Sequence, residues 1–197
     1  IDISTGIVFS GSIPFLCVLF KIFGSFLPSN FHFFSLWIFI CIFLQSFISY
    51  LIIYNKTKNF TFSVIGSLFF LISPVFISQI MFHMALAGQW LILLAFYIEI
   101  KNTPSKKIFY WTILISLSAL IHFYFTIILF GMFFLFIFNE YLINFNFKKL
   151  IVKMSIPTFF LLITMYIFGY FEVPFTDSLA FGYGIYKLNL AGIINPL

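Results

Sequence analysis

From residue 7 to residue 171 this chain is almost continuous hydrocarbon, broken mainly by three short stretches that carry lysine. Apolar runs of that length cannot all be hidden inside a soluble domain, because too little polar surface is left to cover them. The composition agrees: 63% of residues are hydrophobic, 24% are aromatic with 34 Phe among them, and only 8% are charged. The reading is an all-α, polytopic transmembrane helix bundle with the lipid bilayer as its main solvent. A formal net charge of +5 resembles a nucleic-acid footprint. The lysines are spread between hydrophobic runs and not massed on one face, however, so no nucleic-acid partner is expected. Cys17 and Cys41 both sit in apolar stretches without CxxC spacing and read as small buried hydrophobes, with no disulfide, metal or haem.

A helix needs about 20 apolar residues to cross roughly 30 Å of hydrocarbon. The stretches Phe31–Tyr54, Phe60–Ile80, Met84–Ile100 and Leu150–Tyr170 meet or approach that length. The breaks hold Lys56 and Lys58, then Lys101, Lys106 and Lys107, then Lys148, Lys149 and Lys153, so eight of the ten lysines share one side. The positive-inside rule makes that side cytoplasmic. The opposite side takes the turn at Phe82–Ala85 and both ends of the chain. There three acids, Asp2, Glu172 and Asp177, face two lysines, Lys21 and Lys187, for a net charge of −1.

Two segments do not fit a simple count. Ser12–Leu27 is apolar, yet it begins and ends outside if the next run is to travel inward. We read it as an interfacial helix with Pro14 in its first turn and Lys21 reaching toward headgroups. Ile108–Phe138 lies between two lysine breaks, so it should cross an even number of times. Its 31 residues supply only about 46 Å of helix. Two short helices meeting near His122 satisfy the parity; one long tilted helix would bury His122 at mid-membrane and move the last lysine cluster outside. The count is then about six membrane helices and one interfacial helix. The layout is an outer loop over 1–30, the bundle over 31–170 and an outer loop over 171–197. Ile1 at the start and the loop-like close at Asn195, Pro196 and Leu197 read as a fragment.

Trp37, Trp90, Trp111 and several tyrosines fall near predicted helix ends and read as interface anchors. Ser73 and Pro74 predict a kink, and Ser116 and Ser118 are placed for bonds between helices. Asn55 and Asn59 begin glycosylation acceptor triplets, which the cytoplasmic placement discounts. All ten basic residues are Lys, with abundant Ile, Phe and Asn; this reads as AT-rich coding and a bacterial source. No HExxH, GxSxG or Walker-type loop is present. On the outer side, polar residues far apart in sequence converge: Asp2, His83, His122, Asp177, Tyr186, Lys187 and Asn189. Carboxylates and histidines beside low-dielectric surroundings are where general bases and phosphate partners are found. Each also has a bland reading, as a loop residue satisfied by water or backbone. Gln89 faces the bundle as either a bond between helices or a substrate contact.

Three stretches resemble a family of bacterial polytopic proteins of unassigned function. They are Ile7-Val8-Phe9-Ser10-Gly11-Ser12-Ile13-Pro14-Phe15 with Leu19-Phe20-Lys21, then His83 through Leu93 around Gly88-Gln89-Trp90, and Gly182-Tyr183-Gly184-Ile185-Tyr186-Lys187-Leu188-Asn189-Leu190. That family is similar in layout to the GT-C superfamily of membrane glycosyltransferases. The resemblance implies an enzyme of the bacterial inner membrane that takes a sugar from a polyprenyl-phosphate carrier on the outer face. The resemblance implies an acidic base in the first outer loop; with Gly11 where that acid is common, the role falls to Asp2 or to a residue upstream of Ile1, and the converging His83, Gln89, His122, Asp177, Tyr186, Lys187 and Asn189 are the candidates to surround the substrates. Lys187 or a divalent cation would neutralise the leaving phosphate. The chain departs from the pattern at two places: Gly11 stands where an acid is common, and Gln89 where a His is common. Those departures keep two other readings open, a transporter or flippase for lipid-linked substrates, and a non-catalytic partner in envelope polysaccharide assembly.

Overall fold

The computed structural model describes residue 11, residues 13–26, residue 28, residues 31–101 and residues 106–171. Among them it has eight α-helices and no strand: α1 (Pro14–Ile22), α2 (Phe34–Thr57), α3 (Phe60–Leu71), α4 (Pro74–Phe82), α5 (Trp90–Lys101), α6 (Lys107–Ile121), α7 (Phe123–Asn144) and α8 (Phe147–Ile167). Short 3-10 turns at Gly24–Phe26 and Met84–Ala87 complete the order. By length and composition α2, α7, α8 and the stretch Met84–Lys101 are each able to cross a membrane, and the pair α3 and α4, bent by 48°, makes a fifth if taken as one span. These lengths mark a multi-pass helical membrane protein.

With α3 and α4 taken together as one bent pair, the helices from α2 to α8 run up and down. In α6 and α7, Ser118 Oγ lies 3.1 Å from Thr126 Oγ1, and the Trp111 ring packs on Phe133 with centroids 5.3 Å apart. Those pairs share one register about His122, so the segment is a hairpin and the single long helix is excluded. Its break is local chemistry. His122 has extended backbone, and its Nδ1 accepts a hydrogen bond from the Tyr124 N–H at 3.3 Å, which ends α6 and caps α7. At 15 residues α6 is only about 22 Å long and does not match the 30 Å hydrocarbon alone.

Two of the lysine-bearing turns, α2–α3 and α7–α8, are built by the same device. Lys58 and Phe145 adopt the left-handed conformation, with φ of 54° and 49°. Each is followed by an asparagine N-cap: Asn59 Oδ1 accepts from Phe62 N–H and Asn146 Oδ1 from Lys149 N–H, both at 2.9 Å. The amide of Asn59 is therefore engaged in folding the turn. The α5–α6 turn is tied by an ion pair between Lys107 and Glu99, and the α7–α8 turn by Glu140, which meets Lys149 at 3.2 Å and Lys153 at 2.5 Å. Between α2 and α3, the Thr57 and Ser63 hydroxyls lie 3.3 Å apart and Gly66 lets Ile53 approach closely.

The predicted kink at Ser73 and Pro74 is the 48° bend between α3 and α4. Ser118 makes the expected contact between helices, whereas the buried Ser116 hydroxyl has no partner. The nine residues of α1 span only about 13 Å, too short to cross. Ile13 and Leu16 are buried, α1 packs against α6, and the Phe20 ring stacks on Phe33 at the start of α2. Val18, Leu19 and Ile22 face outward, and Lys21 is exposed in the last turn.

The tryptophans correct the sequence reading. Trp37, Trp90 and Trp111 are 2%, 7% and 0% exposed and lie in the core, not at the rim. Trp37 Nε1 donates to the Met84 carbonyl at 2.7 Å and Trp111 Nε1 to Glu99 Oε1 at 2.8 Å. An indole whose N–H finds a partner inside the bundle gains more by filling the core than by sitting at the interface.

Candidate functional site

The alternation of helices collects the lysine turns at one end and leaves the other end to the α4–α5 turn, the His122 turn, the start of α2 and the end of α8. Cross-links among these confirm the grouping. Trp37, in the first turn of α2, reaches Met84 in the α4–α5 turn. A methyl built on Gly88 would come 3.2 Å from Phe125 Cε2 and 3.3 Å from Ile121 Cγ2, so that same turn lies directly on the His122 hairpin. Tyr170, just past α8, donates its hydroxyl to the Ala119 carbonyl and packs on Phe123 with ring centroids 6.1 Å apart.

Two predicted site residues, His83 and His122, lie on neighbouring turns at this end. His122 is half-buried and its pKa is lowered, first by burial and then by the positive charge of nearby His83. The geometry favours the same protonation state. A Nδ1 that accepts the Tyr124 N–H carries no proton, so neutral His122 holds its hydrogen on Nε2 and offers a donor at the end of the bundle. The Tyr124 ring flanks the imidazole with centroids 4.8 Å apart. His83 is exposed and terminates α4, its N–H bonded to the Gln79 carbonyl. Burial raises the pKa of Tyr170 to about 12, so its hydroxyl stays protonated and serves as a donor.

Gln89 is displaced from its expected position. Met84–Ile100 reads in sequence as one apolar helix, but Met84–Ala87 is a 3-10 turn, Gly88 and Gln89 form a turn, and α5 begins only at Trp90. Gln89 is therefore half-buried in the turn that leads into α5, toward the same end as His83 and His122, and not on a continuous helix. Gly88 is the cause: with no side chain it allows the close approach to Ile121 and Phe125 at the point where the chain bends.

Asp2, Asp177, Tyr186, Lys187 and Asn189 lie outside the described residues. Gly11 is exposed, and a Cβ there would meet nothing within 4 Å. Among the described residues no three or more His, Cys, Asp or Glu side chains gather to hold a metal ion. The pair His83 and His122 falls short of the three protein donors of a typical catalytic metal site. Sequence reasoning overlooked Trp37 and Tyr170, which fix the two turns that carry the histidines. The signal at Trp37 is proximity to a helix end, which reads as anchoring, and Tyr170 enters only as the bound of the last apolar run.

The model of a family described as a domain of unknown function matches residues 1–197. No curated protein and no solved structure matches the chain.

Proposed function

We propose a function for this chain from the premise that it belongs to the DUF6311 family, whose description assigns no activity, so the chemistry of its own end face has to carry the argument. The proposal is a GT-C-like glycosyltransferase of the bacterial inner membrane, transferring a sugar from a polyprenyl-phosphate carrier at the end opposite the lysines. In this reading α2, the bent pair α3–α4, α5, α6, α7 and α8 are six crossings, and α1 lies along the interface beside the site. The observation that supports it is the position of His83 and His122 on two turns at one end of the bundle, locked together through Gly88, Trp37 and Tyr170. A neutral imidazole with an Nε2–H donor and a half-buried amide at Gln89 suit sugar hydroxyls. A lipid carrier has direct access from the bilayer around them.

The reaction is the one the resemblance to GT-C glycosyltransferases implies, with its roles taken by these residues. The carboxylate of Asp2 takes the proton of the acceptor hydroxyl as its oxygen bonds to the anomeric carbon. The bond from that carbon to the carrier phosphate breaks, and the departing polyprenyl phosphate carries its charge to Lys187. Asp177, Tyr186 and Asn189 complete the polar surround. The test uses the intact protein in membranes with a lipid-linked sugar. Asp2→Asn and Lys187→Ala should each lower transfer by about 100-fold or more; wild-type rates in both would reject these roles.

One observation favours a second reading, a transporter or flippase for lipid-linked substrates. The break between α3 and α4, with the Gln79 side-chain oxygen buried and unpartnered beyond it, is a discontinuous helix of the kind that lines transport sites. Movement of a labelled lipid-linked sugar across vesicles by purified protein, with no chemical change to it, would select that reading.

A further inference from the structure

At the lysine-bearing end, α5 and α6 do not close on one another completely. A cleft of 360 Å³ opens between them, floored by Leu94, Ile98 and Leu114 and flanked by Tyr97, Tyr110 and Lys101. The volume is at the small end of the range for ligand pockets, about 300–1,000 Å³. It suits part of an acyl chain and not a whole lipid. The cleft is polarised along its length. Its apolar floor lies toward the middle of the two helices, while Lys101 is the last residue of α5 and Tyr110 sits in the first turn of α6.

Charge identifies the occupant. Three lysines stand at this turn, Lys101, Lys106 and Lys107, and the only nearby carboxylate in the sequence is Glu99. Glu99 is committed twice, to the Lys107 ammonium and to the indole N–H of the fully buried Trp111. Lys107 is thereby neutralised. Among the described residues Lys101 has no carboxylate partner; its Nζ rests over the Tyr97 ring, 5.6 Å from the centroid. Lys106 is exposed beside it in sequence terms, just before α6. An apolar slot that ends in an uncompensated cation held by an aromatic ring, with a second tyrosine in its lining, matches one chemistry: a hydrocarbon chain joined to an anion. We propose that this cleft is a binding site for an anionic phospholipid of the lysine-side leaflet, with an acyl chain between α5 and α6 and its phosphate on Lys101. Basic pockets between membrane helices are where such headgroups are held. The site is at the opposite end from the histidine pair and is independent of any transferase reading.

The experiment is native mass spectrometry of the full chain released from detergent micelles, with phosphatidylglycerol or phosphatidylcholine added at equal concentration. Phosphatidylglycerol should be retained about fivefold more than phosphatidylcholine. Lys101→Gln should bring that ratio near one, while Lys148→Gln, an exposed lysine on α8, should leave it unchanged. Ile113→Trp, which places a large side chain in the cleft from a half-exposed position, should lower retention of both lipids. Equal retention of the two lipids by the wild type would overturn the proposal. So would an equal effect of Lys101→Gln and Lys148→Gln, which would mean a general surface charge. Displacement of the lipid by millimolar inorganic phosphate would overturn the acyl-chain part, and loss of a dimer in Ile113→Trp without loss of lipid would make the cleft a contact between copies. If Lys101→Gln fails to fold, the wild-type lipid comparison and Ile113→Trp decide the matter by themselves.

Discussion

Replacing His122 by asparagine separates its two roles, capping and titration. The imidazole caps α7 by accepting the Tyr124 N–H at 3.3 Å, a long bond that belongs at the low end of the 0.5–2 kcal/mol range for N-caps. Removing the acceptor in His122→Ala should then cost about 0.5–1 kcal/mol, or about 1–4 °C in Tm for a chain of this size. Asparagine is a good N-cap and should restore most of that at pH 7.5. It cannot titrate, and there the two proteins must part. The folded pKa of His122 lies below its ordinary 6.5 because of burial and the His83 charge. The unfolded state therefore binds the proton first as the solution is acidified. Stability is whole above pH 6.5 and is lost as the pH falls from 6.5 toward the lowered value. Thermal unfolding followed by intrinsic fluorescence in detergent, from pH 7.5 to pH 5, should show a falling Tm in the wild type and a flatter profile in His122→Asn. His83→Gln should reduce the slope in part, since it removes the smaller of the two causes. An acid-induced loss in His122→Asn as steep as in the wild type would refute the reasoning and move the titrating group elsewhere.

Two further outcomes follow from the packing. Glu99→Ala leaves the buried Trp111 N–H without its acceptor and should destabilise by about 1–3 kcal/mol, whereas Glu99→Gln keeps an acceptor oxygen and loses only the ion pair, so its loss should be clearly smaller; denaturation of the two variants side by side measures the difference. Gly88→Val should force Ile121 and Phe125 apart from starting separations of 3.3 and 3.2 Å, costing about 1–3 kcal/mol, with Gly88→Ala milder; the melting temperature checks the order.

The lysine breaks made much of this architecture legible, because a bilayer imposes both a length on each apolar run and a price on charge within it. Parity favours the hairpin at His122 over one long tilted helix, and Pro74 marks the bend before α4. What composition conceals is rotation. Helices apolar on every side have no polar face to orient them, so nothing distinguished a core Trp37 or Trp111 from an anchor at the rim. The late start of α5 was concealed for a related reason: Gly88 and Gln89 interrupt a run whose hydropathy stays high, and only the contact with Ile121 and Phe125 reveals the turn. The site was legible as a pair of turns with histidines. The acids and the lysine assigned to it, Asp2, Asp177 and Lys187, lie outside the described residues, so their roles stand as proposals.

The bond from Tyr170 to the Ala119 carbonyl bears on how the protein is made. Ala119 lies in the last turn of α6, where carbonyls lack donors within their own helix, and its donor is synthesised about fifty residues later, after α7 and α8. A hairpin entering the bilayer ahead of α8 would therefore carry an unmet acceptor at its tip until the final described helix arrives. The last helix then acts as a latch in assembly. Chains halted before Tyr170 should hold the His122 tip loosely and be the preferred substrates of membrane quality control, while those extended past it close the end of the bundle in one step.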